Sequence, residues 1–442
     1  MIISSITPLV PPVFVADLDL DAPLPTLNGD RRYRGARLLA WLHGRPAGEA
    51  VLALEQRPVT AGELAARVWP LVAGRVVKHY ADDGIPPPGH LPPEGLTRPD
   101  GSRCANGRAP AGPPTITVVI ATRDRTASLL RCLTSVSRLD YPAFDVVIAD
   151  SAPRSDATEQ AIICREWPFP LRYVRVPRPG LALAHNAALA QVTGEIVAIT
   201  DDDVEVGRGW LTALAGAFAE SGAACVTGLI LPAELETRAQ LLIEQAGGFS
   251  RGLDPHVFTR DMPGPGPLFP FTAGRLGSGA NMAFRADWLV SRGGFDPATG
   301  AGSPARGGDD LIAFLKVITD GAPLAYEPAA VVRHWHRRDY EGLRRQAFGY
   351  GVGLGVYVTA SLRARPALLG AMLRRSVPAM RHLLDPGSAK NDGREPGFPR
   401  ELVWRERAGM LAGPFAYAAS RWRYRDCLSR LPGGIMMTGA SG

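Results

Sequence analysis

The chain has 442 residues, 46% hydrophobic and 21% charged, which excludes a fully disordered protein and allows two or three folded domains. The net charge of +6 favours phosphate-bearing ligands or an anionic surface, but scattered arginines without a zinc-finger or basic heptad pattern do not indicate a nucleic-acid-binding protein. Five widely spaced cysteines without a C-x-x-C pair argue against a disulfide framework or a zinc site, and suit a reducing cytoplasm.

Residues 1–83 are predicted to form a small α+β unit whose role the sequence leaves open. Two mainly apolar runs, Arg37–His43 and Glu49–Leu54, flank a Gly-Arg-Pro turn, which is typical of a β-hairpin. Thr60 and Glu63 form a capping-box pair ahead of an apolar stripe, so a helix is expected there. The first residues lack the basic start and long apolar run of a signal peptide, which favours a cytoplasmic location.

Two further segments lie outside the expected catalytic region. Residues 84–114 are dense in proline and glycine without a hydrophobic period, so we predict a semi-rigid linker. Residues 351–442 predict a helical C-terminal extension. The uncharged, glycine-rich stretch between Arg345 and Arg363 is shorter than the ~20 apolar residues of a membrane-spanning helix. It is interpreted as a closely packed helix, or as a peripheral contact with the inner face of the membrane.

Residues 115–350 alternate strands with helices, which predicts one α/β domain. The fold class is therefore α/β, with a Rossmann-like, mostly parallel sheet whose near-continuous apolar strands are covered on both faces. The expected strands are Ile116–Ala121, Val146–Ala149, Leu171–Val176 and Ile196–Thr200, and the expected helices are Thr126–Arg138, Ser155–Trp167 and Leu181–Val192.

Charged residues follow several of these strands directly. Ligands of an open parallel sheet bind beyond the carboxyl ends of its strands, so Asp124, Asp150 and the triplet 201–203 are expected at one edge. Asp201 and Asp203 point the same way on extended backbone, and their oxygens suit Mg²⁺ or Mn²⁺. The alternative is a solvated acidic turn, or a helix N-cap that uses one aspartate.

The runs TVVIATRDR, VVIADSA and RPGLALAHNAALAQVTGEIVAITDDDVEV, followed by GSGANMAFRADWLVSRGGFD and GGDDLIAFLKVITDG, resemble glycosyltransferase family 2 over about residues 115–350. The resemblance implies a GT-A type fold and a metal-dependent, hexosyltransferase-like enzyme of cell-envelope or secondary-metabolite glycan synthesis. It implies inverting transfer from a UDP-, dTDP- or GDP-linked sugar to the hydroxyl of a glycan, lipid-linked or small-molecule acceptor.

The resemblance also implies roles for individual residues. Asp310 would be the general base, and Asp309 would hold the acceptor hydroxyl or take the base role itself. Asp201 and Asp203 would bind Mg²⁺ or Mn²⁺ with His334, which shares a strand face with His336 by alternation. Donor-binding residues would be Thr122, Arg123, Asp124, Asp150, Arg178, Asn186, Asp201 and Asp202, and acceptor- or sugar-binding residues would be Gly279, Ala280 and Asn281. Helix capping, strand-end capping and surface charge are the alternative explanations for these residues.

Two other functions compete with the transferase. A sugar nucleotidyltransferase would share the sheet and the metal-binding carboxylates, but it usually has a glycine-rich loop with a basic residue after the first strand, which TRDR does not supply. A non-catalytic nucleotide-binding or scaffold protein would not need both the D-x-D triplet and the Asp309-Asp310 pair.

Overall fold

The computed structural model describes residues 9–28, 30, 32–55, 57–96, 112–262, 268–385 and 397–428. The centre of the predicted linker, residues 97–111, and two parts of the predicted C-terminal extension, residues 386–396 and 429–442, lie outside the described residues.

The N-terminal unit is a three-stranded sheet with one helix. Its elements are β1 (Val13–Asp19), β2 (Gly35–Leu42), β3 (Arg45–Ala53) and α1 (Ala61–Asp82). The expected hairpin is present as antiparallel β2–β3, whereas β1, which pairs parallel to β2, was not predicted. Thr60 accepts a hydrogen bond from the Glu63 amide as expected, but the Glu63 carboxylate pairs with Arg57 instead of completing the capping box.

The first half of the larger domain is a parallel αβ array, as the sequence predicts. Its strands order as β7-β4-β5-β6 with parallel pairing throughout. The elements are β4 (Ile116–Thr122), α2 (Thr126–Val136), β5 (Phe144–Ser151), α3 (Ala157–Ile163), β6 (Leu171–Val176), α4 (Leu181–Leu189) and β7 (Ile196–Asp201). Helix α3 is shorter than expected because the chain after Ile163 turns towards β6.

The second half extends the same sheet with mixed pairing. Strand β11 lies antiparallel between β7 and β9, β12 is parallel to β9, and β8 and β10 pair antiparallel with β12. The elements are β8 (Val204–Val206), α5 (Trp210–Ser221), β9 (Cys225–Pro232), α6 (Arg238–Gln245), β10 (His256–Phe258), β11 (Asn281–Arg285), α7 (Ala286–Ser291), α8 (Asp309–Thr319) and β12 (Leu324–His334).

Both faces of this sheet are buried, which explains the uninterrupted apolar strands. In β4, Val118 and Ile120 pack on one face against α2 and α5, while Val119 packs on the other face among residues of α4 and α8. Complete burial of such a side chain stabilises the fold by about 1.5–3 kcal/mol. Two packed faces hold the strand ends, and the polar residues that follow them, in fixed positions.

The C-terminal helices are α9 (Tyr340–Ala364), α10 (Leu368–Arg374), α11 (Ser376–Leu384), α12 (Arg400–Arg423) and α13 (Arg425–Leu428). The predicted domain boundary at residue 350 falls inside α9, which is continuous. The alternating glycines pack α9 closely on α12: a Cβ on Gly351 would lie 1.9 Å from the Glu406 carbonyl oxygen, and one on Gly355 would lie 2.3 Å from that of Met410. None of the described helices is both long enough and apolar enough to span a bilayer.

The N-terminal unit contacts the larger domain directly. Leu39 packs with Leu229, Leu231 and Val331, and the Val13 amide donates to the Leu235 carbonyl at 2.9 Å. These contacts place the small sheet against β9 and β12.

Candidate active site

The carboxyl ends of three strands form the edge at which the predicted residues meet. Thr122 at the end of β4 pairs with Asp150 in β5, and Ala121 pairs with Asp201 in β7. Because strands lie about 4.8 Å apart, Asp150 and Asp201 are separated by about 10 Å across β4. Strand β11 runs antiparallel to β7, so Gly279, just before it, lies at the same edge.

A possible metal site lies beside β7. Asp201, Asp203 and His334 each offer a ligand atom, and these atoms all lie within 4.8 Å of one another. The antiparallel pairing of His334 with Val204 brings the end of β12 to the aspartate triplet. Two carboxylates and one imidazole suit Mn²⁺ or Mg²⁺, with remaining positions available for phosphate oxygens and water. The predicted ligand set is therefore assembled in one place.

Asp201 and Asp203, the two aspartates of this possible metal site, have different electrostatic surroundings. Burial opposes ionisation of Asp203, but its hydrogen bond to His334, 3.4 Å away, and the charge of Arg125 hold its pKa below the usual range. Burial and the neighbouring charge of Asp203 raise the pKa of Asp201 to about 7. A bound cation would relieve the repulsion between these two carboxylates.

Asp202 contacts other protein groups and is not part of the Asp201–Asp203–His334 cluster, so its predicted contact with the donor stays a prediction. Its carboxylate accepts from the Thr122 hydroxyl at 2.7 Å and pairs with Arg125 at 2.7 Å. Arg125 also donates to Asp203 at 2.7 Å, so one guanidinium links the two aspartates. Arg125 was missing from the predicted site. It begins the loop-to-helix transition after β4, and an arginine beside an acid was the available signal.

Asp150 and Asp124 form the opposite end of the edge. The Asp150 side chain is buried and accepts from the Tyr173 hydroxyl at 2.9 Å, while its Oδ1 has no hydrogen-bond partner among the described residues. Burial is the main cause of its raised pKa, with Asp124 contributing. Asp124 has φ of 52° and accepts from the Arg154 amide at 2.9 Å. A buried carboxylate oxygen without a partner suits an N–H group of a nucleotide base.

The acidic pair at the start of α8 has no arginine or lysine partner among the described residues. Asp310 Oδ2 accepts from the Gly279 amide at 2.9 Å, and its Oδ1 accepts from the Leu311 amide at 2.8 Å. Burial raises the pKa of both carboxyls, and for Asp309 burial and the charge of Asp310 raise it to about 8. The buried His185, 3.9 Å from Asp309, does not neutralise the pair because burial lowers its own pKa to about 4.

The Asp201–Asp203–His334 cluster and the α8 pair lie close to one another, because Asn281 pairs with Thr200, next to Asp201, and the Gly279 amide donates to Asp310. Asp201 contributes to the raised pKa of Asp309. Tyr350 of α9, whose side chain is 49% exposed, has a pKa raised by partial burial and by the charges of Asp203, Asp201 and Asp310. Tyr350 was not predicted as a site residue, since its position in the glycine-rich run carried no sequence signal. The strand ends, α8 and α9 therefore meet around these carboxylates.

The family comparison agrees with this geometry, since the family model described as Glycosyl transferase family 2 matches residues 117–285. Residues 117–285 form a glycosyltransferase family 2 domain. The α/β fold class predicted from the sequence is confirmed: β4, β5, β6 and β7 are parallel, as expected of a mostly parallel sheet, and the sheet continues with mixed pairing from the antiparallel β11 onwards.

Curated relatives cover part of the chain. The pre-mycofactocin glycosyltransferase of Mycobacterium tuberculosis is 29% identical over 252 residues, which is 56% of this chain and 48% of the relative. The succinoglycan biosynthesis protein ExoM of Rhizobium meliloti is 33% identical over 107 residues, 24% of this chain and 35% of the relative. The chain spans about half or less of the length of these two relatives.

Two solved structures are similar to this chain. The mannosyltransferase PcManGT from Pyrobaculum calidifontis, in complex with GDP-Man and Mn²⁺, is 20% identical, with a TM-score of 0.40 over 74% of this chain and 80% of that chain. TarS 1-349 of S. aureus is 14% identical, with a TM-score of 0.39 over 71% of this chain and 92% of that chain.

Within the family 2 domain, two predicted acceptor-side residues prove to be structural. Asn281 is fully buried; its amide nitrogen donates to the Leu229 and Ala330 carbonyls at 3.0 and 2.7 Å, and its oxygen accepts from the Trp210 indole at 2.8 Å. Ala280 is buried, and its carbonyl accepts from Thr200 at 2.8 Å. The Gly279 amide, in contrast, contacts the acidic pair directly, since it donates to Asp310.

Two predicted donor-side residues of the domain also have other contacts. The Asn186 amide nitrogen donates to the Phe295 carbonyl at 2.8 Å and its oxygen accepts from the Phe295 amide at 2.9 Å, so Asn186 fixes the loop after α7. Arg178 reaches α13, with Asp426 at 3.6 Å and the Cys427 sulfur at 3.5 Å. Arg123 lies at the edge, 3.9 Å from Asp124 and 40% exposed.

Proposed function

We propose that this chain is a metal-dependent, inverting glycosyltransferase that moves a sugar from a nucleotide-sugar donor to an acceptor hydroxyl. The observation that carries the proposal is the proximity of the Asp201–Asp203–His334 cluster and the Asp309–Asp310 pair at one edge of a sheet whose residues 117–285 match glycosyltransferase family 2. The pKa of Asp203 is lowered whereas those of Asp309 and Asp310 are raised, and carboxyls with such different pKa values suit two roles in one transfer reaction.

The donor would bind along the strand ends. The partnerless Oδ1 of Asp150 would accept from the base of a UDP-, dTDP- or GDP-linked sugar, with Asp124 beside it. An open cleft of about 390 Å³ next to it is lined by Ala152, Pro153, Arg175, Val176 and Pro177, and has the size of a small-ligand site. About 10 Å away, Asp201, Asp203 and His334 would hold a divalent cation that, when bound, neutralises charge on the departing diphosphate.

The acceptor hydroxyl would lose its proton to the α8 pair. Asp310 is held with one carboxylate oxygen on the Gly279 amide and the other on the Leu311 amide. Because burial raises its pKa, it is a stronger base than an exposed aspartate once ionised. Asp309, with a pKa raised to about 8, would stay protonated and hold the acceptor. One base and one direct displacement would invert the anomeric centre, and the acceptor would be a glycan, lipid-linked or small-molecule hydroxyl.

The test is a screen of UDP-, dTDP- and GDP-sugars for metal-dependent release of the nucleoside diphosphate in the presence of candidate acceptors. A transferase releases the nucleoside diphosphate and a new glycoside. Release of pyrophosphate would instead support the nucleotidyltransferase, and absence of turnover with every donor would support the scaffold protein.

We further propose that α12 contacts an anionic membrane surface. Trp404, Leu411, Phe415 and Trp422 are 65–79% exposed and recur at intervals of seven, four and seven residues, so they share one helix face. Five arginines against two glutamates in α12 favour anionic lipid headgroups over a second copy of this basic chain.

Cosedimentation with phosphatidylglycerol-containing vesicles tests the membrane contact. We expect binding that is lost in Phe415→Ser/Trp422→Ser and with pure phosphatidylcholine vesicles. Equal binding of the double variant would contradict the proposal, as would a wild-type dimer in solution that this variant dissolves.

A further inference from the structure

A continuous chain of contacts connects the N-terminal sheet to the candidate metal site. Arg37 of β2 pairs with Glu49 of β3 at 2.9 Å and with Glu244 of α6 at 2.5 Å. The other carboxylate oxygen of Glu244 lies 2.9 Å from His336 Nε2, and His336 Nδ1 lies 3.0 Å from His334 Nδ1. His334 presents its remaining nitrogen, Nε2, to the aspartate cluster.

Only one assignment of protons satisfies every contact when His334 Nε2 is a metal ligand. A neutral imidazole has one N–H, so the proton of His334 is on Nδ1 and is donated to His336 Nδ1. His336 must then carry its proton on Nε2, which donates to Glu244. A carboxylate that receives the proton of a histidine fixes the ring's tautomer and orientation.

The partners in this chain are well shielded from water. The side chain of His336 is fully buried, and those of Arg37 and Glu244 are 16% and 13% exposed. Phe249 packs on both histidine rings, with centroids 5.4 Å from His334 and 5.8 Å from His336. If Arg37 were removed, the Glu244 carboxylate would lose its cationic partner. Because solvent has little access, water could not readily take the place of the arginine.

We infer that Arg37 and Glu244 are positioning residues, which act through His336 to hold His334 in its metal-binding orientation. The N-terminal unit would then help to orient a metal ligand without binding the metal itself. Its sequence does not indicate this role. The inference rests on the proposed function, because it requires a metal at Asp201, Asp203 and His334.

The contact surface between the two units offers a matched control. Arg75 of α1 also crosses between them, pairing with Asp254 at 2.5 Å, but Asp254 has no hydrogen bond to His334 or His336. Arg75→Met therefore weakens docking of the N-terminal unit without breaking the chain to His334. Arg37→Met removes a docking contact and also interrupts the series of contacts to His334. Glu244→Gln keeps a side chain of the same shape while removing its charge.

The experiment measures Mn²⁺ affinity of the full chain by isothermal titration calorimetry, with thermal unfolding of each variant in parallel. We expect Arg37→Met and Glu244→Gln to weaken Mn²⁺ binding about tenfold or more, and Arg75→Met to bind Mn²⁺ like the wild type. In Co²⁺-loaded protein, Arg37→Met and Glu244→Gln should also change the visible absorption of the metal. A defect in docking alone would leave this absorption unchanged.

The two possible failures are distinguishable. Unchanged Mn²⁺ affinity in folded Glu244→Gln, while His334→Ala loses affinity, would overturn the positioning role and leave the proposed metal site intact. A wild-type chain that binds no Mn²⁺ would overturn both. Equal loss of affinity in Arg75→Met and Arg37→Met would assign the effect to docking and also overturn the inference.

Discussion

The two groups of adjacent aspartates in the candidate site differ chiefly in their partners. Asp203 has an arginine and a histidine beside it, and its pKa is held below the usual range. Asp309 and Asp310 have amide groups and a neutral histidine nearby, and burial raises the pKa of both. Asp203 therefore differs from the α8 pair in its protonation behaviour, although Asp201 beside it also has a raised pKa. An ionised carboxylate suits a cation, and a carboxylate with a raised pKa is a stronger base towards a hydroxyl once it is ionised.

The largest effect is expected from removing the ionised member of the first group. Asp203→Ala should lower kcat/KM by about 10³-fold and abolish Mn²⁺ binding, because one of the two carboxylate ligands is lost. Nucleoside diphosphate release with and without a chelator provides the measurement. Asp287→Ala, an exposed aspartate beyond the opposite end of β11, is the control and should retain full activity. Full turnover of the wild type in excess chelator would contradict the metal role.

A substitution in the second group, Asp309 and Asp310, should lower the reaction rate without changing the affinity for the metal. Asp310→Asn keeps the shape of the side chain but removes its basicity, so kcat should fall about 10²-fold or more with Mn²⁺ affinity unchanged. Rapid-quench kinetics and Mn²⁺ titration on one preparation separate these quantities. If Asp310→Asn loses Mn²⁺ binding and not kcat, the division of roles between the two groups is wrong.

The strand-end residues could be predicted because they depend on local pattern. A buried strand segment followed directly by aspartates places those carboxylates at the sheet edge whatever the rest of the chain does, as with Ile196–Thr200 and Asp201. The partners that set the two pKa values could not be predicted in this way. Arg125 contacts residues 77 and 78 positions later, and Glu244 reaches His336 across 92 positions.

The dependence on residues far away in the sequence also explains why the environment of Asn281 and the presence of β1 were not predicted. An asparagine in a Gly-Ser-Gly-Ala-Asn run looks the same whether its amide meets a sugar or the interior of the sheet. For Asn281 the deciding contacts are the carbonyls of Leu229 and Ala330, which come from β9 and β12. Strand β1 was missed because its partner, β2, follows in parallel orientation without a hairpin turn to mark the pairing.

The pH dependence of stability tests the protonated state of the second group directly. In the unfolded chain Asp309 should ionise near pH 3.9, whereas in the folded chain burial and Asp310 raise its pKa to about 8. Below pH 3.9 both states hold the proton and the group has no effect. As pH rises towards 8 only the unfolded state releases it, so the folded state loses stability.

Asp309→Asn should therefore raise the melting temperature of metal-free protein by a few degrees at pH 8, and by little or nothing at pH 4. Calorimetry of variant and wild type across this range measures the difference. Melting curves that stay parallel at every pH would show that Asp309 ionises normally in the folded chain.

The smallest effect on activity is expected from a substitution in α9, the helix that packs against the start of α8. Gly353 of α9 lies against the N-terminus of α8: a Cβ there would be 3.3 Å from the Gly308 nitrogen, next to Asp309, whereas a Cβ on Gly349 would meet no atom within 4 Å. Gly353→Ala should displace the acidic pair slightly and lower kcat several-fold, since small misplacement of catalytic groups is costly. Gly349→Ala, the control in the same helix, should leave kcat unchanged and gain up to about 1 kcal/mol of helix propensity. Mn²⁺ affinity should be the same in both variants, because α9 supports the second group of aspartates and β7 supports the first. A shared loss of Mn²⁺ binding in Gly353→Ala would mean that the two groups move together.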